Sequence, residues 1–101
     1  MPIDKLKDPP MFASVVPGRS PKTKYSSLGM AKSAVAYVHN NGCRGGRIYM
    51  WDVLDHEWLL MYDIPEHTKP SELPWKVNIY ADYEAEFKAR ETRDKPEDLS
   101  D

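Results

Sequence analysis

The sequence predicts a small single α+β domain with the element order β-α-β-β, a central hairpin and a peripheral C-terminal helix. The first of three observations is the stretch 46–64, GRIYMWDVLDHEWLLMYDI, in which two runs rich in Ile, Val, Tyr and Trp flank a polar break at 54–57. Such runs are typical of paired strands, so we expect a β-hairpin here. The second observation is an apolar stripe with helical spacing before the hairpin, and the third is an aromatic stripe with the same spacing after it.

Length and composition limit the chain to one small core. It has 101 residues with 41% hydrophobic content, and both ends are polar and interrupted by proline. We therefore assign 1–10 to a flexible arm, 11–91 to the domain and 92–101 to a disordered acidic tail. The net charge of −2 argues against attraction of the whole molecule to nucleic acid or to anionic membranes. Cys43 is the only cysteine and no apolar run reaches ~20 residues, so we expect a cytoplasmic protein without a membrane contact.

The first third of the chain predicts one strand and one charged loop. Residues 11–16, MFASVV, are typical of a strand and are followed by a Pro-Gly turn signal. Residues 19–24, RSPKTK, carry Arg19, Lys22 and Lys24 and no acidic residue, and a proline interrupts them. We expect an exposed basic loop in this segment.

A helix is predicted over 27–41. Leu28, Ala31, Val35 and Val38 recur at helical spacing, serines before them can cap the first turn, and Asn-Asn-Gly stops the helix. The stripe consists of small side chains. The helix backbone can therefore lie close to a sheet that carries large side chains, which the hairpin supplies.

The hairpin is predicted to be apolar on both faces. A turn centred on Asp55 and His56 places two sets of side chains on opposite faces of the sheet. A solvated antiparallel hairpin usually alternates apolar with polar residues, so each face here should be covered. One face carries Tyr49, Trp51, Val53, Trp58, Leu60 and Tyr62, and the other carries Ile48, Met50, Leu59 and Met61 with Asp52 and Asp63 at its ends.

Two further elements follow the hairpin. The segment 73–77, LPWKV, is too short for a regular helix, and we expect Trp75 to pack over a face of the hairpin. Asn78 can cap a last helix over 79–90, with i,i+4 pairs from Glu84 to Lys88 and from Glu86 to Arg90. The aromatic stripe of this helix consists of Ile79, Tyr80, Tyr83 and Phe87. Within a monomer, the stripe has only the LPW segment and the hairpin margin to rest on, so this is the more exposed of the two helices.

No residue pattern indicates catalysis, a metal or a cofactor, and we expect a protein that is not an enzyme. His39, His56 and His67 lie on three different predicted elements without ligand spacing, and Cys43 has no second thiol. Helix-end or surface histidines are the simpler interpretation. A pairing of Cys43 with His39 would still lack an orienting residue and an oxyanion site.

Two surfaces remain as candidate sites. The aromatic residues of the hairpin and its neighbours are either ordinary core or a partner-binding surface, because aromatic side chains dominate interface hot spots. The basic residues are either a solvated loop or an anion or nucleic-acid contact, placed near a helix N-terminus. The aromatic candidates are Tyr49, Trp51, Trp58, Tyr62, Trp75 and Tyr83, and the basic ones are Arg19, Lys22, Lys24, Arg44 and Arg47.

The segments KYSSLGMAK (24–32), RIYMW (47–51) and EW (57–58), with a Gly/Arg-rich turn between the first two, resemble the small accessory proteins of bacteriophages that infect actinobacteria. The resemblance covers residues 24–64 and implies a binder of a host protein, with no catalytic residues to transfer. The leading hypothesis is accordingly a protein-binding module that modulates a host protein. A small nucleic-acid-binding protein is the alternative. A symmetric homodimer is also expected, because burying an aromatic stripe between two copies would offset a small core.

Overall fold

In the computed structural model, which describes residues 12–40 and 42–93, the chain forms a four-stranded antiparallel sheet with helices packed against it. The strands are β1 (Phe12–Val15), β2 (Lys22–Tyr25), β3 (Gly46–Asp52) and β4 (Glu57–Ile64). The helices are α1 (Leu28–His39), α2 (Pro74–Val77) and α3 (Ala81–Thr92), with a 3₁₀ turn at Pro70–Glu72. The strand order is β2-β1-β3-β4. The predicted α+β class and the predicted hairpin, β3 with β4, are confirmed.

The structure describes only part of the segments in which the predicted domain boundaries lie. The arm at 1–10 and residues 94–101 of the predicted tail lie outside the described residues. Thr92 is the last residue of α3, and Arg93 forms ion pairs with the hairpin. The helix therefore continues beyond the predicted end of the domain at residue 91.

The basic segment at 19–24 was expected to be a loop, and this expectation is wrong for its second half. β2 pairs with β1, which consequently lies inside the sheet and runs antiparallel to β3. Tyr25 explains why this charged segment forms a strand, because its side chain is buried and its hydroxyl accepts a hydrogen bond from Ser14 at 3.3 Å. The Lys22 ammonium lies 5.3 Å from the centroid of the same ring. The lysine can stay in solvent because β2 is an edge strand.

α1 begins and packs as the sequence predicts. The Ser27 hydroxyl accepts the backbone N–H of Met30 at 3.3 Å, and the buried stripe includes Ala31, Val35 and Val38. The helix lies so close to β3 that a Cβ added at Gly46 would stand 2.9 Å from the Val35 side chain. Small residues on both elements therefore set the spacing between helix and sheet.

The hairpin turn has the predicted length of four residues but begins one residue earlier than the predicted break at 54–57. Asp52 and Glu57 form the last strand pair, so the turn contains four residues, 53–56. The Asp52 carboxylate accepts the backbone N–H of Leu54 at 3.1 Å, a local bond that ends the strand at this aspartate. His56 then takes a left-handed conformation with φ of 54° to return the chain.

The strand register differs from the predicted one for the same reason. Trp51 faces Trp58, where the sequence predicted a pairing of Trp51 with Leu60. An irregularity between the pairs of Ile48 and Tyr49 adds one residue to β4. As a result Tyr62 faces Ile48 instead of Tyr49, and it leaves the aromatic face on which it was expected.

The main core lies between one face of the sheet and the helices. Its buried members come from β2, β3, β4, α1 and α3, with Val16 and Leu73 from connecting segments, and Trp75, Leu28 and Phe12 pack around them. The buried set is Val16, Tyr25, Ala31, Val35, Val38, Ile48, Met50, Leu59, Met61, Tyr62, Ile64, Leu73, Ala81 and Ala89.

His39 closes the end of α1 from the inside. Its side chain is fully buried, its Nδ1 accepts the backbone N–H of Gly45 at 2.9 Å, and its Nε2 lies 2.6 Å from the carbonyl oxygen of Thr68. Because Nδ1 is an acceptor, the hydrogen is on Nε2 and the imidazole is neutral. This histidine therefore joins α1 to the connections on both sides of the hairpin.

We predict that His39→Ala lowers the free energy of unfolding by about 2–4 kcal/mol, because two buried backbone groups lose their partner and a cavity forms. Urea denaturation followed by circular dichroism measures the change. Ser33→Ala on the exposed side of the same helix is the control and should stay within about 0.5 kcal/mol. Equal stability of both variants would contradict the proposed role.

Candidate protein-binding surface

A partly buried polar contact fixes α3 on the domain. The Asp82 carboxylate accepts a hydrogen bond from the Tyr62 hydroxyl of β4 at 2.5 Å and pairs with the Lys32 ammonium of α1 at 2.7 Å. Burial raises the pKa of the Tyr62 phenol above its ordinary value, and the bond to Asp82 raises it further. The Trp75 ring meets Tyr62 edge-on with centroids 5.1 Å apart, so the predicted packing of Trp75 on the hairpin is confirmed.

α3 contacts the sheet through alanines. Ala81 and Ala89 are buried and Ala85 is partly buried, at positions i, i+4 and i+8 of one helix face. These small side chains allow the helix to pack closely against β4. The predicted cap at Asn78 is wrong, because α3 starts two residues later than predicted, with Tyr80 at the N-cap position, and the Asn78 side chain accepts the N–H of Tyr80 instead.

The aromatic side chains of α3 point into solvent. At about 100° per residue, Tyr83 and Phe87 each lie about 160° away from Ala85, the centre of the buried face. Their exposed fractions are 78% and 69%. The sequence left open whether this stripe closes the hairpin face within one chain or is buried against a second copy, and in the structure it does not rest on the LPW segment or the hairpin margin. We call Ile79, Tyr80, Tyr83 and Phe87 the α3 stripe, and all four are exposed.

Acidic residues flank the α3 stripe. Glu86 pairs with Arg90 at 3.3 Å, as predicted. Glu84 accepts the side-chain amide of Asn78 at 3.0 Å, a contact that the sequence did not predict. Among the described ion pairs none involves Glu84 or Glu91. The aromatic surface thus carries negative charge on its border.

The aromatic residues of the hairpin are less accessible than those of α3. Tyr49 is 1% exposed and Tyr62 is also buried, so the structure removes both from the predicted contact surface. Trp51 and Trp58 are half-buried and meet edge-on with centroids 5.0 Å apart. Trp75 is half-buried against Tyr62. Of the six predicted aromatic contacts, Tyr83 is the one with a fully exposed side chain.

The acidic end of the hairpin holds the end of α3. Arg93 Nη1 lies 2.6 Å from Asp52, 3.0 Å from Asp55 and 3.5 Å from Glu57. The hydrogen bond from Arg93 holds the pKa of Asp52 below its ordinary value, although burial raises it, and the same bond raises the pKa of Arg93. These carboxylates therefore have a structural role.

The predicted basic residues do not form one cluster. Arg44 and Arg47 border the same recess, but Asp63 and Glu66 border it as well, and Arg47 lies 3.5 Å from Asp63. Lys22 borders a different recess beside the N-terminal part of α1.

The other two basic candidates add little to either recess. Arg19 is exposed on the connection between β1 and β2. The side chain of Lys24 lies outside the described parts of the structure.

No metal centre is present among the described side chains, because no group of three or more His, Cys, Asp or Glu there could hold an ion. Nor does any helix within residues 12–40 and 42–93 have the length and apolar character needed to cross a bilayer. Comparison of the chain with protein-family models, with curated proteins and with solved structures gave no match.

We predict that Arg93→Gln lowers the thermal midpoint at pH 7 and that this difference narrows below about pH 4. The folded-state pKa of Asp52 is lowered, so its stabilisation is fully present above the unfolded value of about 3.9 and is lost as the pH falls through the folded-state pKa. Thermal unfolding between pH 3 and pH 7 tests this. Lys88→Gln on the same helix is the control, and an Arg93 difference that stays constant over the whole range would contradict the prediction.

Proposed function

We propose that this protein is a non-enzymatic protein-binding module whose contact surface is the α3 stripe. The observation that carries the proposal is the orientation of α3, which buries alanines and leaves its aromatic side chains in solvent. Single exposed apolar side chains are common on protein surfaces, whereas a contiguous exposed apolar patch is typical of an interaction site. Tyr and Phe rings in such a patch provide large contact area at low entropic cost.

The stripe is also preorganised for binding. Asp82 holds the start of α3 to α1 and β4, and Arg93 holds its end to the hairpin turn. The rings of Tyr80, Tyr83 and Phe87 are spaced at i, i+3 and i+7, the spacing with which one helix face enters a groove of another protein. A rigid helix loses little freedom on association, which favours affinity.

The partner is proposed to be a protein of the host cell or a second copy of the chain. The resemblance to small phage accessory proteins supports the first, with the chain acting as a modulator of the host protein. Cytoplasmic action is part of this proposal.

We predict that p-benzoylphenylalanine placed at position 83 crosslinks a protein on irradiation in an actinobacterial host, whereas the same group at position 37 does not. Tyr37 is the matched control because it is a 64% exposed tyrosine on α1, away from the stripe. Tyr83→Glu should weaken the captured complex at least about tenfold while stability changes by about 0.5 kcal/mol or less. Crosslinking that is equal at both positions, or absent at both, would refute the proposed surface.

Nucleic-acid binding is the second candidate function. No acidic residue lies between Asp8 and Asp52, while this interval includes all five basic candidates. The division of those residues between two recesses, one of them bordered by carboxylates, favours the protein-binding proposal.

We predict that any affinity for DNA or RNA falls steeply with salt, because binding to phosphates releases counterions. Fluorescence anisotropy with a labelled duplex and a labelled single strand, at salt from 50 to 300 mM, measures the slope. The double variant Lys22→Ala and Arg44→Ala should lower the slope by about one to two. An absence of binding at the lowest salt would remove this candidate, and the double variant Lys69→Ala with Lys76→Ala serves as the charge-matched control outside the basic interval.

A further inference from the structure

Charge is divided between the two ends of the sheet. The interval from Asp8 to Asp52, which contains β1, β2 and α1, has no acidic residue, whereas acidic residues outnumber basic ones in the part of the chain that contains β4 and α3. β2 and β4 are the two outer strands. The domain therefore has a basic end at β2 and an acidic end at α3.

The basic end carries a shallow recess between β2 and α1. Its border includes Lys22 and Tyr25 from the strand and Gly29, Met30 and Ala34 from the helix. Met30 is 52% exposed, and Gly29 has no side chain to fill the recess beside it. The recess thus has an apolar floor that contains an adaptable methionine, Met30, and a positive charge on its border, that of Lys22.

The recess and the α3 stripe are complementary in charge. The stripe is aromatic and bordered by Glu84 and Glu91, and the recess is shallow, mostly apolar and bordered by Lys22. Methionine adapts well to aromatic rings, and opposite charges on the borders align two surfaces.

The two surfaces cannot meet within one molecule. α1 separates them, because its Lys32 pairs with Asp82 of α3 while Met30 and Ala34 lie on the flank that faces β2. Contact therefore requires two molecules. Two such contacts related by a two-fold axis would close a dimer.

We infer that the occupant of the β2/α1 recess is the α3 stripe of a second copy of this chain. The inference rests on the protein-binding surface proposed above and names one partner for it. In the dimer, Tyr83 and Phe87 of each protomer contact Met30 and Ala34 of the other, and Glu84 and Glu91 face Lys22. Association masks the stripe, so a different protein that binds it must compete with the second copy.

Sedimentation equilibrium of the full chain from 1 to 500 μM tests the contact. We expect a concentration-dependent rise from the 11.6 kDa monomer to twice that mass. Tyr83→Ala and Met30→Ala should each raise the dissociation constant about tenfold or more, and Tyr37→Ala should leave it unchanged. Monomer mass throughout, or association that neither variant weakens, would overturn the inference.

A charge exchange identifies the two surfaces as partners. Lys22→Glu, and the double variant Glu84→Lys with Glu91→Lys, should each be monomeric alone, and an equimolar mixture of the two should regain the dimer because both contacts are again complementary. A mixture that stays monomeric would refute the pairing. Photocrosslinks from position 83 to another protein in a chain that never dimerises would overturn this inference while the proposed function stands.

Discussion

The position of α3 depends on one carboxylate. Asp82 accepts from Tyr62 of β4 and pairs with Lys32 of α1, so a single side chain links the last helix to the sheet and to the first helix. An isolated helix of twelve residues is marginal in water, and α3 contributes few large side chains to the core. Its place is therefore fixed by polar contacts at its start, by close alanine packing along its length and by Arg93 at its end. The direction of the exposed rings follows from this arrangement.

Much of the fold could be predicted from local patterns. The hairpin runs consist of residue types that favour strands, α1 has the apolar spacing of a helix, and both elements are present. β2 could not be predicted, because its sequence KTKY is charged and only the burial of Tyr25 against Ser14, a long-range contact, makes a strand favourable. The register was wrong because the Asp52 carboxylate ends the strand through a local bond to Leu54, and a polar pattern alone does not fix the residue at which the turn begins.

The candidate site was only partly predictable, since the sequence left open whether the aromatic residues are ordinary core or a partner-binding surface. α3 has two possible inner faces, the aromatic stripe and the alanine row at positions 81, 85 and 89. The first has the larger burial energy, and sequence reasoning chose it. The alanine row was a signal that could have corrected the choice, because regular small residues favour close packing against a flat sheet. What decides between the faces is Asp82, which lies beside the alanines and reaches Tyr62 and Lys32 only when they face inward.

This arrangement separates the residues that hold α3 in place from those of the proposed contact surface. The residues that hold α3 in place are Asp82, Arg93 and the alanines, and none of them belongs to the stripe. The stripe residues leave most of their surface in water, so their replacement costs the fold little, whereas their rings are free to contribute fully to a contact. A small domain can hold a preformed aromatic surface in this way without weakening its core. The division of charge along the sheet then limits which partners suit the surface. Its acidic border repels other acidic surfaces and favours a basic partner, such as the basic end of a second copy.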